Sequence, residues 1–508
     1  MYLGYKMRDA NPRKGFFYTE KRRPVQEIMD LIENKYVDKV AIDSLTDTAI
    51  QAMLNKLDPH SVFIPAEQLQ AVNEDLAGRF FGIGVEFMII NDTINVVSVV
   101  KDGPSDKAGV KVGDKFLKVD DSVVAGKNIN AEKIRKILRG TRGTKVHVNF
   151  LTAEGQRDYT ITRDAIPLKS LDAAYMLNNT TGYIKLNKFS TQTYREFMQA
   201  LEMLNKQGMK KLVLDLRGNG GGVLQEAVDI ADEFLDGDKL ITYTEGLHSK
   251  RAEYRCKRPG QFEKGELVVL ADEGSASASE VLMGALQDWD RATIIGRRSF
   301  GKGLVQDQFD LSDGSALRLT IARYYTPVGR SIQRPYTSGE KAYYDEIVNR
   351  FHDGETQSAD SVKIDKTKTF KTKGGKIVYG GGGISPDYFI ALDSVFIQPV
   401  IAKLGTKATI SNYCYQYFLQ HQAALNVYTS TNNFVNNFNL TDADWKNFTT
   451  AALKDSVDLN KISAKEKEYV TNTIKAGIAR QLWRTEGYYE SMNAKDDAVK
   501  KALEVLGN

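Results

Sequence analysis

Between residues 182 and 296 the chain alternates short apolar runs with helical stretches, and no other feature restricts its fold as much. Gly182-Tyr183-Ile184-Lys185-Leu186, Leu212-Val213-Leu214-Asp215-Leu216, Leu267-Val268-Val269-Leu270 and Thr293-Ile294-Ile295 predict strands. Between them, Tyr194 to Asn205 predicts a helix with Phe197, Leu201 and Leu204 on one face. Further helices are expected over Leu224 to Leu235 and, following the run Ser275 to Glu280, to about Trp289. This alternation is the signature of an α/β core. Two of its strand-to-helix joints, Arg217–Gly222 and Gly274–Glu280, consist largely of small residues. Each places free N–H groups and the positive end of a helix dipole where a ligand or another backbone can approach.

The chain has 508 residues, enough for three or four such units at roughly 100–200 residues each. Lys plus Arg number 69 and Asp plus Glu 65, and a net charge of +4 is too small for a nucleic-acid footprint without strong clustering. With 42% hydrophobic and 26% charged residues, the whole chain reads as neither disordered, collagenous nor coiled-coil. The two cysteines, Cys256 and Cys414, lie in no metal-binding spacing, so neither a disulfide scaffold nor a zinc site is expected. No apolar run reaches the roughly 18 residues of a membrane span. Met1 to Arg8 lacks the pattern of a signal peptide.

Around the α/β stretch the texture changes. Residues 24–70 read as helical until Asp58-Pro59 ends the pattern, and from Gly78 short β-branched runs with one helix, Ala131 to Leu138, form a β-rich unit. Residues 335–376 are polar and read as an exposed excursion. The last 110 or so residues read as helical, with capping boxes at Thr441–Asp444 and Ser463–Glu466. The expected division is a helical region at 1–77, the β-rich unit at 78–165, the α/β core at 166–395 and a helical region at 396–508.

The small-residue joints suit either a phosphate or the oxyanion of an acyl-transfer intermediate. Gly296 to Lys302 begins like a P-loop, but Gly303 stands where Ser or Thr must hold magnesium, and the sequence after it is β-like. The acyl-transfer reading needs a nucleophile and a base. Ser277, at the entry to a helix, supplies the first, although a Ser277–Glu280 capping box explains the same residues. None of the five histidines sits beside a serine turn in the core, and His60 reads as a turn or packing residue. Lys302, among glycines after an apolar strand, is the other base, since burial lowers a lysine pKa to about 7–8.

These segments together resemble the carboxyl-terminal processing (tail-specific) serine proteases. Gly274-Ser275-Ala276-Ser277-Ala278-Ser279-Glu280 resembles their nucleophile segment, Phe300-Gly301-Lys302-Gly303 with Val305-Gln306 their lysine segment, and Leu214 to Arg217 with Asn219 and Gly221-Gly222 their oxyanion turn. Leu57-Asp58-Pro59-His60-Ser61 and Gly381 to Asp387 also fit. The resemblance implies Ser277 as nucleophile, Lys302 as general base, Gln306 holding its ammonium, and the N–H groups of Ala278 and Gly221 as oxyanion donors. Ser275 and Ser279 are rivals that side-chain chemistry alone does not separate. Residues 103–114 resemble a PDZ domain, with Gly82-Ile83-Gly84-Val85 as its carboxylate-binding loop.

The fold implied is an α/β protease core of crotonase/Clp-like type, within a multidomain α+β chain carrying an inserted PDZ domain and helical ends. The activity implied is ATP-independent endoproteolysis of chains recognised by a free C-terminus, with no cofactor and no metal. Expected partners are protein or peptide substrates, with a homo-oligomer or adaptor besides, and membrane contact only through a segment absent from this chain. The family is usually exported, which implies a periplasmic or cell-envelope location and a chain lacking its export signal. Two alternatives are a catalytically inactive PDZ scaffold and a crotonase-like acyl-CoA enzyme. Intact Ser277, Lys302 and Gln306 speak against the first, and the PDZ unit against the second.

Overall fold

A computed structural model describes residues 24–126 and 130–507. Residues 1–23 of the expected N-terminal helical region, including Met1 to Arg8, lie outside them. The core is a six-stranded sheet in the order Leu171–Met176, Thr181–Leu186, Lys211–Asp215, Glu266–Ala271, Thr293–Gly296, Tyr388–Phe389. The first pair is antiparallel and the other four pairings are parallel. Its central strands are mostly apolar because both faces are covered, and the buried Lys185 and Asp215 pair with each other. Ile184, Leu186, Leu212, Leu214 and Val269 pack under the helices Thr193–Lys206, Leu224–Asp232 and Ala278–Asp288. The alternate residues Tyr183, Val213, Val268 and Leu270 meet Ala498, Val499 and Ala502 of the last helix, Asp497–Val505.

The stretch 396–508 therefore serves two cores. Its final helix closes the second face of the central sheet. The helices Pro399–Thr406, Thr409–Leu425, Thr431–Asn437, Asp442–Lys454 and Ala464–Asn493 gather around Leu404, Phe434, Phe448, Ile474 and Ile478. The expected capping boxes are present at Thr441 with Asp444 and at Ser463 with Glu466. The long helix is broken at Trp483 and Arg484, the latter at φ +63°.

The β-rich unit is an antiparallel sheet of Val85–Ile90, Thr93–Val99, Lys115–Val119, Lys145–Thr152 and Gly155–Thr162, closed by the helix Ala131–Leu138 over Phe116, Val146, Phe150 and Ile161. Arg79–Gly82 pairs with Asp164–Pro167 where the chain enters and leaves. That pairing brings the two ends together, as an insertion into a host domain requires.

One reading needs correction and another holds only in part. Within 24–70 the chain is not helical throughout, because Val62–Ile64 is a strand paired with Ala316–Arg318. The Asp58 carboxylate accepts the N–H groups of His60 and Ser61 (both 2.8 Å) and the Ser61 hydroxyl (2.6 Å), an Asx-type turn that reverses the chain into that strand. The polar stretch 335–376 is exposed along most of its length, as expected, but it is anchored to the core at a few buried residues. Its helix Glu340–His352 buries Tyr343 and Arg350. Arg350 donates to the Ser299 carbonyl (2.8 Å), and Arg298 pairs with Glu355 (2.6 Å). Only these few paired charges are buried, and composition does not distinguish them from the exposed majority.

Among the described residues both cysteines are free and buried, no cluster of His, Cys, Asp and Glu could hold a metal ion, and no helix is long and apolar enough to cross a membrane.

Candidate active site

Ser277 stands where the strand Glu266–Ala271 turns into the helix Ala278–Asp288, at φ +57° and ψ −115°. That conformation lies outside the left-handed basin open to an ordinary residue, and such strain costs on the order of 1–3 kcal/mol unless the surroundings impose it. A sharp strand-to-helix turn of this kind lifts a serine hydroxyl clear of the sheet. The rivals are placed differently. Ser275 and Ser279 are fully buried, and their hydroxyls donate to the carbonyls of Leu216 and Asn219 (2.9 Å each). Only Ser277 of the three is partly open to solvent.

Two side chains hold Ser277 and Lys302 side by side. Glu280 is wholly buried, and its Oε2 accepts the N–H of Ser277 (2.9 Å) and the N–H of Lys302 (2.8 Å). Its Oε1 accepts the Ser299 hydroxyl (2.5 Å) and the Gly301 N–H (2.7 Å). On the opposite side of both peptides, the Tyr324 hydroxyl is shared between the carbonyls of Lys302 (2.7 Å) and Ser277 (3.2 Å). Burial pushes the Glu280 carboxyl up to about 7, against the downward pull of those four donors. Burial also keeps the Tyr324 phenol protonated, well above its ordinary range, and so available as a donor.

The Lys302 amine is pushed below its ordinary value, first by burial and then by the nearby Arg318 guanidinium, with Glu280 and Asp58 pulling the other way. That is the direction a general base needs. His60, from the turn before Val62–Ile64, lies close enough to feel the Lys302 charge. Burial first and Lys302 second lower its pKa to about 3, with Asp58 opposing and Arg334 assisting. It is therefore neutral near pH 7, joined to the Tyr343 hydroxyl at 3.0 Å and packed against the Phe300 and Tyr343 rings. Gln306 lies on the strand Leu304–Asp310, where its amide donates to the Thr320 hydroxyl (3.2 Å).

The oxyanion turn sits directly against this serine. A Cβ at Gly221 would come within 2.6 Å of the Ala276 carbonyl and 2.7 Å of the Ser277 Cβ, at φ +94°, so only glycine fits. The Gly221 N–H donates to Asn219 Oδ1 (2.9 Å), whereas the Ala278 N–H, in the first turn of its helix, meets no acceptor among the described residues. In the PDZ unit, Ile83 and Gly84 are buried, and their N–H groups likewise meet no acceptor among the described residues.

The chain thus brings Ser277, Lys302, Ala278 and Gly221 to one place, with Gln306 on an adjoining strand. Sequence reasoning missed Glu280 as a tie between two segments and missed Tyr324 and Arg318 altogether. The spacing of Glu280 from Ser277 was a signal, though it pointed only to a helix cap. Nothing marks Tyr324 in its β-like run.

Residues 180–339 match the model of peptidase family S41, residues 82–161 that of the PDZ domain, residues 6–68 that of the activating protease CtpB N-terminal domain, and residues 400–484 a family of unknown function. The chain is 35% identical over 312 residues to a probable CtpA-like serine protease of Staphylococcus epidermidis, covering 61% of this chain and 63% of that one. It is 36% identical over 313 residues to a carboxy-terminal-processing protease of Bartonella bacilliformis, covering 60% and 71%. A solved photosystem II D1 C-terminal processing protease aligns over 74% of this chain and 88% of its own, at 27% identity and a TM-score of 0.36. The chain belongs to the S41 family of carboxyl-terminal processing serine proteases and carries that family's PDZ domain.

Proposed function

We propose that this chain is an endopeptidase that selects polypeptides by a free C-terminus and cleaves them with a Ser277–Lys302 dyad, on a core of crotonase/Clp-like type. One observation carries the reading. Ser277 and Lys302 share Glu280 Oε2 on their N–H groups and the Tyr324 hydroxyl on their carbonyls. The backbones that carry the nucleophile and the base, from separate segments, are thereby held to one another.

In the reaction, neutral Lys302 takes the Ser277 proton as Oγ bonds to the scissile carbonyl carbon, and the carbonyl electron pair moves onto oxygen. The free Ala278 N–H receives that oxyanion, and Gly221 joins it when its N–H turns from Asn219. Collapse expels the amine, which takes the proton from the Lys302 ammonium. Lys302, neutral again, then takes a proton from a water that attacks the ester carbonyl, and returns it to Ser277 Oγ as the acyl–oxygen bond breaks. To Gln306, on the strand that follows Lys302, we assign the role of orienting the lysine. The Ile83 and Gly84 N–H groups receive the substrate carboxylate.

The test is cleavage of an unstructured polypeptide by the wild type, Ser277→Ala and Lys302→Ala. Loss of at least a thousandfold in kcat/KM is expected for both variants, and undiminished cleavage by either refutes the dyad. Amidation of the substrate's C-terminus tests tail selection separately, and unchanged kcat/KM refutes it.

A further inference from the structure

A well-formed cavity lies away from Ser277. It holds about 870 Å³, within the usual range for a ligand site, and it lies between the PDZ unit and the C-terminal helices. One wall is the loop and edge strand from Gly82 to Met88 with Arg135, Leu138 and Arg139 of the PDZ helix. The other is built from the C-terminal helices, with Ile401, Leu404, Ile410, Tyr469, Thr473 and Tyr488 among its lining.

The second wall is fixed to the first. Arg484 and Arg480 both pair with Glu86 on the edge strand (2.7 and 3.4 Å). The Tyr415 hydroxyl donates to the Val96 carbonyl (3.2 Å), and Thr485 donates to the Asp172 carbonyl (2.7 Å) where the core meets both units. The break at Trp483 and Arg484 lies in this contact.

The chamber has the chemistry of an occupant. Among the described residues Val85–Ile90 pairs only with Thr93–Val99, and its other edge opens into the cavity. At its start the buried Ile83 and Gly84 N–H groups await an acceptor. Arg135, Arg139 and Arg480 outnumber Asp172 and Glu86 among the charged lining. An extended strand ending in a carboxylate satisfies all three features. Its side chains, projecting away from the PDZ sheet, then meet the aliphatic and aromatic surface of the helices.

We propose that the C-terminal helical unit is the second wall of the tail-binding site, and that Ile401, Ile410, Tyr469 and Tyr488 select tails whose last residues are bulky and apolar. The proposal rests on the tail-selecting reading above. It assigns a specificity-determining role to the segment that matches a family of unknown function.

The experiment uses the full chain carrying Ser277→Ala and fluorescence polarisation with three labelled decapeptides. One ends in Leu-Val-Leu with a free carboxylate, one is its amide, and one ends in Gly-Ser-Gly with a free carboxylate. The parental protein is expected to bind the first at least tenfold tighter than either of the others. Ser411→Trp and Thr473→Trp fill the helical side of the cavity. They are expected to erase the preference for Leu-Val-Leu over Gly-Ser-Gly while leaving the preference for acid over amide. If both preferences survive these changes, or if the parental protein does not favour Leu-Val-Leu, the proposal is overturned and tail selection stands. If acid and amide bind the parental protein equally, tail selection itself fails. A benzophenone at the penultimate residue of the first peptide gives an independent reading in the parental protein. Label on residues 401–411 or 469–488 supports the second wall, and label confined to residues 82–139 overturns it.

Discussion

Glu280 is the group on which the two halves of the candidate site depend, and its replacement by glutamine has a calculable signature. Two donors converge on each carboxylate oxygen. A glutamine amide keeps one oxygen. Its better orientation leaves the NH2 facing Ser299, whose hydroxyl can rotate to accept, and Gly301, whose N–H cannot. One stranded buried N–H costs about 1–3 kcal/mol. Against this, the substitution removes a carboxyl that burial raises from 4.5 to about 7. A group raised in the folded state contributes stability that is complete below its unfolded pKa and is lost as pH rises through the folded one. At 1.36 kcal/mol per unit, the wild type loses about 2–3 kcal/mol between pH 5 and pH 8 through this residue, and the variant does not. The assay is urea unfolding at each pH followed by Trp289 fluorescence, in a background with Trp445→Phe and Trp483→Phe so that only the core reports. The wild type is expected to lead at pH 5 and to lose that lead by pH 8. Parallel stability curves for the two proteins refute the buried, proton-binding carboxyl.

Three further predictions follow from the same geometry. Arg318→Ala removes a cation that depresses Lys302, so the rising limb of kcat/KM against pH moves to higher pH, which a pH–rate profile reads directly. An unmoved limb dissociates the profile from Lys302. Gly221→Ala drives a Cβ into the Ala276 carbonyl and Ser277 at a positive φ, and is expected to cost at least a hundredfold in kcat/KM. Thermal melting of that variant distinguishes a displaced turn from an unfolded core. The His60 ring, held neutral by burial and by Lys302, shows no NMR titration between pH 5 and 8, and a transition in that range contradicts its placement.

The legible part of the site was its segments. Ser277, Lys302 and Gly221 each sit in a short run whose small residues mark a turn, and turns of that kind are local properties of sequence. The choice among Ser275, Ser277 and Ser279 was not local. It depends on which hydroxyls find the carbonyls of Leu216 and Asn219, and those belong to another strand-to-helix joint some 60 residues away. The buried anchors within the otherwise exposed stretch 335–376 were hidden for the same reason. A charge looks solvated until its partner is known, and the partners of Glu346 and Glu355 are Arg298 and Arg350 around the Lys302 turn.

Sequence alone determined the alternating strands and helices, the inserted β-rich unit and the turns where chemistry could occur, because side-chain period and turn residues act over a few positions. Only the tertiary structure decided that one carboxylate and one phenol hold Ser277 to Lys302, that the last helix closes the second face of the sheet, and that the C-terminal helices wall the PDZ groove. Those contacts join residues 22 to nearly 400 positions apart, as Glu280 with Lys302 and Arg484 with Glu86 show. Their energies come from burial and hydrogen bonding between segments, which no local pattern encodes.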